Sequence, residues 1–394
     1  MKELNSRIIE KIDEIYKIIR NNYSKVDNIG LASGLGGVLL FLFYYYKLTQ
    51  NKKVLKLAFQ MLDETISFLN EGEILLSFCN GIAGLGWLIE HLEQNNFIKG
   101  DTNTILKDVD DFIFEGVKAD MEEYNYDFLH GALGKALYLL KRKNVNTNCL
   151  ENITNGILKI SECPLPNQLR WKSMHFETQE IIYNLSLSHG IASTINIYSR
   201  LYEQDIMKVK SKEIIDKSIN YLLTCKKNNM LSFFPNYAVP DGNQFQSSRL
   251  AWCYGDLGIG VTLWQVSQKI NDKVLENKSL EILLHSTKRR KLKENFVFDA
   301  GLCHGTSGIA HIFNRIYRNT GIKEFKESSE FWFYKTMEMA RFEDGLAGYK
   351  YWQSWNNDWY NEIGFLNGIT GIGLTLISAA SDIDPKWDEC LLLS

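Results

Sequence analysis

Apolar residues along the chain fall into two alternating kinds of segment. In one kind they return on a single helical face, as Ile8, Ile9, Ile12, Ile15, Tyr16 and Ile19 do in the first segment and Leu57, Met61, Leu62, Ile66 and Leu69 do further on. In the other they run almost unbroken behind a glycine, as in GGVLLFLFYYY, GLGWLIEHL, GKALYLL, GVTLWQV and GIAHIF. The first kind predicts a helix with one face in water, the second a helix buried nearly all round.

The glycine-led segments share a short pattern: a glycine, two residues, a small residue, then the apolar run. It occurs seven times, as GLGG at Gly34, GIAG at Gly81, GALG at Gly131, GIAS at Gly190, GDLG at Gly255, GTSG at Gly305 and GITG at Gly368. The copies are 47, 50, 59, 65, 50 and 63 residues apart, room for two helices and their connections in each unit. Apolar helices suit an inner ring and amphipathic ones an outer ring, so seven hairpins can close into a double barrel. The expected fold is all-α, an α/α toroid in which residues 1–394 form a single domain. An open solenoid is the competing arrangement, but its ends would carry polar capping repeats, and the first and last copies here are among the most apolar. Two intervals depart from helix. Cys163 to Ser186 holds Pro164, Pro166, Trp171 and Phe176, and Met230 to Ser248 holds FFPNYAVPDGNQF. Loops or short hairpins inserted near 163–186 and 230–248 are expected, placed to shape a substrate cleft.

Composition changes this picture little. The 394 residues are 45% hydrophobic and 23% charged with 5 prolines, the balance of an ordered globular chain. A net charge of -3 gives no reason to expect nucleic acid, and the basic run KRRKLKE from Lys288 to Glu294 reads as a solvated helix face or loop. Asn28 to Tyr46 and Ile363 to Ser381 lack charge and approach the length of a membrane span. Their glycines and polar residues favour buried helices, so no integral membrane segment is expected. The N-terminal segment has acidic residues where a signal peptide needs an apolar core, which makes the cytoplasm the default location. The 7 cysteines are odd in number and scattered, which argues against a disulfide framework and leaves metal binding, catalysis or burial.

Candidate chemistry concentrates in the two positions before each repeat glycine: Ala32-Ser33, Cys79-Asn80, Leu129-His130, Ser188-His189, Cys253-Tyr254, Cys303-His304 and Leu366-Asn367. All seven pairs stand just before an inner helix, so they gather at one end of a ring. Cys253 and Cys303 fill the same slot of successive repeats, and His304 adds a nitrogen. Two thiolates and an imidazole suit Zn2+, and three protein ligands leave a fourth tetrahedral position for water or substrate. Cys79 fills the same slot three steps around the ring and is not expected to reach the metal. The plainer account is that both cysteines are buried free thiols and His304 a capping or core histidine. His189, Asp127, His130 and Arg249 are acid-base candidates around this centre. Each also has a local account: His189 bonding a backbone carbonyl, Asp127 capping a helix, Arg249 pairing with a surface carboxylate. Asp256, at a helix start, reads as a cap.

The segments SRLAWCYGDLGIG (Ser248 to Gly260), GLCHGTSGIAHIF (Gly301 to Phe313) and LSLSHGIAS (Leu185 to Ser193) closely resemble the lanthionine synthetase C-like, or LanC, family. The resemblance runs through the seven repeats. It implies an α/α toroid with zinc held by Cys253, Cys303 and His304. It also implies roles around the metal for Asp127, His189, Arg249 and Tyr254, from YDFLHGALG, LSHG and SRLAWCYG. The implied activity is that of a stand-alone cyclase, which adds cysteine thiols to dehydroalanine or dehydrobutyrine in a dehydrated precursor peptide. The implied partners are a separate dehydratase and transporter, whose complex would hold the protein peripherally at the membrane. Two rival functions remain at this level. A prenyltransferase-type zinc alkylation would want a carboxylate among the ligands, and a glutathione-binding or scaffold role would use the same open position. The acidic group Asp108, Asp110, Asp111 and Glu115 has the look of a Mg²⁺ motif, though acidic residues on an exposed helix account for it as well.

Overall fold

A computed structural model describes residues 2–68, 75–228, 230–240 and 246–394. In chain order the helices are α1 (Lys2–Asn22), α2 (Leu35–Thr49), α3 (Lys52–Phe68), α4 (Ile82–Gln94), α5 (Thr102–Ile105), α6 (Lys107–Glu122), α7 (Ala132–Lys141) and α8 (Thr147–Lys159). There follow α9 (Ile191–Glu203), α10 (Lys208–Thr224), α11 (Asp256–Lys269), α12 (Lys273–Thr287), α13 (Thr306–Thr320), α14 (Lys323–Glu338) and α15 (Ile369–Ala380). The strands are short: β1 (Ser173–Met174), β2 (Ile181–Asn184), β3 (Tyr237–Ala238), β4 (Tyr351–Gln353) and β5 (Asp358–Tyr360).

All seven repeat glycines are helix N-caps, standing before α2, α4, α7, α9, α11, α13 and α15, and no side chain closes any of these caps. Space explains the choice of residue: a Cβ on Gly305 would fall against the Gly301 amide and 2.5 Å from the Asp299 carboxylate. Two of the helices between them begin differently, with Asn146 accepting from the Cys149 amide at the head of α8 and Asp272 from the Leu275 amide at the head of α12.

Burial separates the two kinds of helix. Every residue of α2 from Leu35 to Tyr45 is buried, whereas α1 buries Ile8, Ile12, Ile15 and Ile19 and leaves Ile9 exposed. In α3 the buried stripe is Val54, Ala58, Met61, Leu62 and Thr65, with Ile66 exposed. This differs from the face expected there because the stripe passes through an alanine and a threonine, which the apolar pattern alone overlooks. Leu69 lies outside the described residues.

The helices fall into two compact units, one of residues 1–102 and 297–387 and one of residues 103–296 and 388–394. In the first, α13, α15, α2 and α4 pack in series, with α14 on α13, α1 on α15 and α3 on α2. The last glycine-led helix thus takes its amphipathic partner from the head of the chain. In the second, α7, α9 and α11 pack in series, backed by α8, α10 and α12.

The second unit also carries an antiparallel sheet in which β2 lies between β1 and β3, with Ser173 opposite Ile182 and Tyr183 opposite Ala238. The interval 230–248 supplies β3, and its residues 241–245 lie outside the described residues. In the first unit β4 and β5 form a hairpin that sets Trp352 opposite Trp359. The signal for it in sequence is YKYWQSWNNDWY, aromatic residues on both sides of an Asn-Asn turn. Among the described residues no helix is long and apolar enough to cross a membrane.

Candidate active site

The same turn precedes six of the repeat glycines. Gly34 donates its amide to the Gly30 carbonyl, and the step of four recurs from Gly81 to Ser77, Gly131 to Asp127, Gly190 to Ser186, Gly305 to Gly301 and Gly368 to Gly364. In the first unit the slots are linked in series. Cys303 donates its amide to the Leu366 carbonyl, Phe365 and Leu366 donate to Ala32, and Ala32 donates to Cys79. Cys79 therefore lies three slots from Cys303.

Cys303 and His304 sit at the head of α13, and the turn that carries them is built on Asp299. This buried carboxylate accepts the Gly301 amide at 2.9 Å and, through its other oxygen, the Trp352 amide at 3.0 Å. The second oxygen is 3.9 Å from His304 Nε2. Asp299 thus ties the β4–β5 hairpin to the turn that carries Cys303 and His304, and the Tyr351 ring lies 6.2 Å from the imidazole.

In the second unit Cys253 is buried, and its carbonyl accepts the amides of Leu187 at 3.2 Å and Ser188 at 3.4 Å, with the Ser188 hydroxyl at 3.2 Å. The neighbouring His189 is half-buried and places Nδ1 2.7 Å from Asp127 Oδ2. The other oxygen of Asp127 accepts the His130 amide at 2.8 Å. Burial by itself would raise the Asp127 carboxyl, but the hydrogen bond and charge of His189, with the His130 amide, bring it below its ordinary value. For His189 burial works downward, and the Asp127 hydrogen bond and charge, helped by Cys253, carry the imidazole above its ordinary value. The His130 ring stacks 6.0 Å from His189, and burial, the largest influence on it, pulls its own pKa down. Tyr254 brings its ring to 6.1 Å from His189. Arg249 is half-buried at the start of the Cys253 loop, with its carbonyl closing on Gly255.

Three sequence readings change. Asp256 is the first residue of α11 behind the Gly255 cap, and its carboxylate accepts the Phe233 and Phe234 amides at 3.0 and 2.9 Å instead of capping its own helix. Arg289, within the run expected to be solvated, is buried against Asp256. Asp110 is not a free acidic group on an exposed helix but clamps α6 to α7, accepting from Tyr138 at 2.6 Å and from Arg142 at 2.8 and 2.9 Å.

Among the described residues, one set of three ligand-type side chains could hold a metal ion: Cys253, Cys303 and His304, each offering one ligand atom. The chemistry of the donors fits zinc, since two sulfurs and an imidazole nitrogen are soft to borderline and three ligands leave a fourth position open.

A lanthionine synthetase C-like protein family model matches residues 25–392. The nisin biosynthesis protein NisC of Lactococcus lactis subsp. lactis is 23% identical, the match covering 98% of this chain and 94% of that protein. Among solved structures, nisin cyclase matches with a TM-score of 0.77 at 21% identity, over 100% of this chain and 98% of that one. The fold is accordingly all-α and of the helical toroid type of nisin cyclase. With almost its whole length matched by the family model, the chain belongs to the lanthionine synthetase C-like family.

Proposed function

We propose that the chain is a zinc-dependent peptide cyclase that closes lanthionine and methyllanthionine rings. The reaction adds a cysteine thiol of a dehydrated precursor peptide across the double bond of dehydroalanine or dehydrobutyrine. Sulfur gives up its proton and bonds to the β-carbon, and the π pair moves to the α-carbon and takes up a proton there, so the peptide gains and loses nothing. Family membership and the relatives that make nisin support the reading. The observation that carries it is the donor set, two thiols and an imidazole without a carboxylate, which also weighs against a prenyltransferase-type centre.

Cys253, Cys303 and His304 would hold the zinc. The chemistry zinc supplies when bound is loss of the substrate thiol's proton near neutral pH, because a coordinated thiol ionises. The remaining work falls to the chain. Asp127, held ionised, can only accept, so His189 Nδ1 carries the hydrogen between them and Nε2 is left to hand its proton to the α-carbon. Arg249 offsets the negative charge that develops on the substrate carbonyl. Tyr254, 6.1 Å from His189 ring to ring, limits how that imidazole can turn. A separate dehydratase would supply the substrate, and a transporter would remove the product.

The test is incubation with a peptide containing one dehydroalanine and one cysteine. Ring closure leaves the mass unchanged and removes the free thiol, so a maleimide adduct seen by mass spectrometry disappears with time. Persistence of the adduct with every cognate peptide, at full zinc loading, would sink the cyclase reading.

A further inference from the structure

The basic run from Lys288 to Glu294 conceals an arginine that is 4% exposed. Arg289 spends its donors on three separate segments: Nε on Asn295 Oδ1 at 2.8 Å, Nη1 on Asp256 Oδ2 at 3.2 Å and Nη2 on the Ser248 carbonyl at 2.6 Å. Each acceptor controls something else. Asp256 holds the Phe233 and Phe234 amides. The Asn295 carbonyl accepts the Leu250 amide at 3.1 Å. The Ser248 amide donates to Ser232 Oγ at 2.8 Å, and that hydroxyl donates to the Phe234 carbonyl at 2.9 Å.

These bonds bracket the loop 248–256. Ser248 and Leu250 fix where it enters, Asp256 fixes where it becomes α11, and between them lie Arg249, Cys253 and Tyr254. The loop closes through Gly255 at φ 85°, where a Cβ would fall 2.5 Å from the Arg249 carbonyl. A backbone so tightly turned has few other shapes available once both ends are held. Only arginine among the cations has a rigid planar fork able to meet three acceptors at once; a lysine ammonium in the same place is a single point of charge. A buried ion pair adds little stability compared with apolar packing of equal volume. A role in geometry accounts for its presence better than a role in stability.

We infer that Arg289 is a positioning residue for the Cys253 ligand: through Ser248 and Asp256 it sets the shape of loop 248–256 and so the direction of the Cys253 thiolate. This rests on the zinc reading proposed above.

The test uses the full chain loaded with cobalt(II), whose thiolate charge-transfer band reports the ligand geometry. Two variants are compared with the parent, Arg289→Lys and the double change Arg289→Gln with Asp256→Asn, the second removing both charges so that neither is left buried alone. Amide hydrogen exchange at 248–256 should quicken while the inner helices α2 and α13 keep their protection. Cobalt affinity should fall by about 10–100-fold, the usual effect of losing a residue that orients a metal ligand, with a weakened or shifted thiolate band. Exchange that quickens equally throughout the chain would make Arg289 a stability residue only and overturn the inference. So would a loosened loop with parental cobalt affinity and spectrum, or a loop whose exchange does not change. If the parent itself shows no thiolate band, the zinc reading fails and the inference with it. That outcome is distinct, since it appears before any variant is made.

Discussion

His189 and Asp127, 62 positions apart, meet at 2.7 Å, with the imidazole Nδ1 against one carboxylate oxygen while the other oxygen secures the turn at His130. One carboxylate therefore fixes both its own loop and the ring across from it. Asp127→Asn keeps the size but removes the charge that selects the tautomer. The expected result is a fall in kcat of about 10²–10⁴-fold, the range for loss of a general acid, with zinc content and KM near the parent's. His189→Asn should fall as far, and the double variant no further, because the two act as a unit. Parental turnover in Asp127→Asn would remove the pair from proton transfer.

The two cysteine ligand candidates and Cys79 separate cleanly by experiment. Cys303→Ala and Cys253→Ala should each lose bound zinc and ring closure together, since two remaining ligands cannot hold a tetrahedral site. Cys79→Ala, altered in the same slot of a repeat three hydrogen-bonded steps from Cys303, should keep about one zinc per chain and parental activity. Zinc measured by atomic emission on the purified chains decides it, and full retention in Cys303→Ala would refute the ligand assignment.

The repeat was legible because backbone crowding enforces it: where a helix starts against a neighbouring turn only glycine fits, and the same mark appears seven times. Slots counted from those glycines then pointed to Cys253, Cys303 and His304, the set that could hold a metal ion, and to His189, which meets Asp127. Residues that act through folding back were not legible. Arg289 sits in a run of four cations, and which one turns inward depends on how the end of α12 meets loop 248–256, not on the run itself. Asp299 could have been found. Six residues before their glycines, Asn28, Asn184, Asp299 and Glu362 each accept an amide two residues on, so the polar position recurs in the repeat frame. It escaped notice because four different turns use three residue types there. The β4–β5 hairpin was hidden by a different cause, its strands being three residues each, too short for alternation to register.

Lys269 gives the second unit a distinct pH response. Its ammonium pairs with Glu203 at 2.7 Å, yet burial, and then the nearby Arg200, draw its pKa down to about 8. Between pH 8 and the ordinary lysine value the unfolded chain binds a proton that the folded chain does not. Stability from this group therefore rises with pH through that window and is lost again as pH falls through 8. The full effect is on the order of 3 kcal/mol, set by the distance between about 8 and the ordinary lysine value. Lys269→Met should remove the rise. Urea denaturation midpoints at pH 7.5, 8.5 and 9.5 test it, and identical pH slopes for parent and variant would show that Lys269 titrates normally.

Two glycines with positive φ make a controlled comparison of strain against function. Gly321 ends α13 at φ 70° with nothing within 4 Å of where a Cβ would stand. Gly321→Ala should cost about 1–2 kcal/mol, the penalty for an L-residue in the left-handed region, and leave zinc and turnover unchanged. Gly255 has φ 85° but no space, since its Cβ would strike Ser248 Oγ and the Arg249 carbonyl. Gly255→Ala must therefore move the loop that carries Cys253 as well as bear the dihedral strain. Its loss of stability should exceed that of Gly321→Ala, and zinc affinity should drop with it by about 10-fold or more, as for a displaced ligand support. Melting curves and zinc competition on the two variants side by side give the answer. If both lose the same stability and neither loses zinc, the loop tolerates a shift at Gly255 and Cys253 is steered from elsewhere.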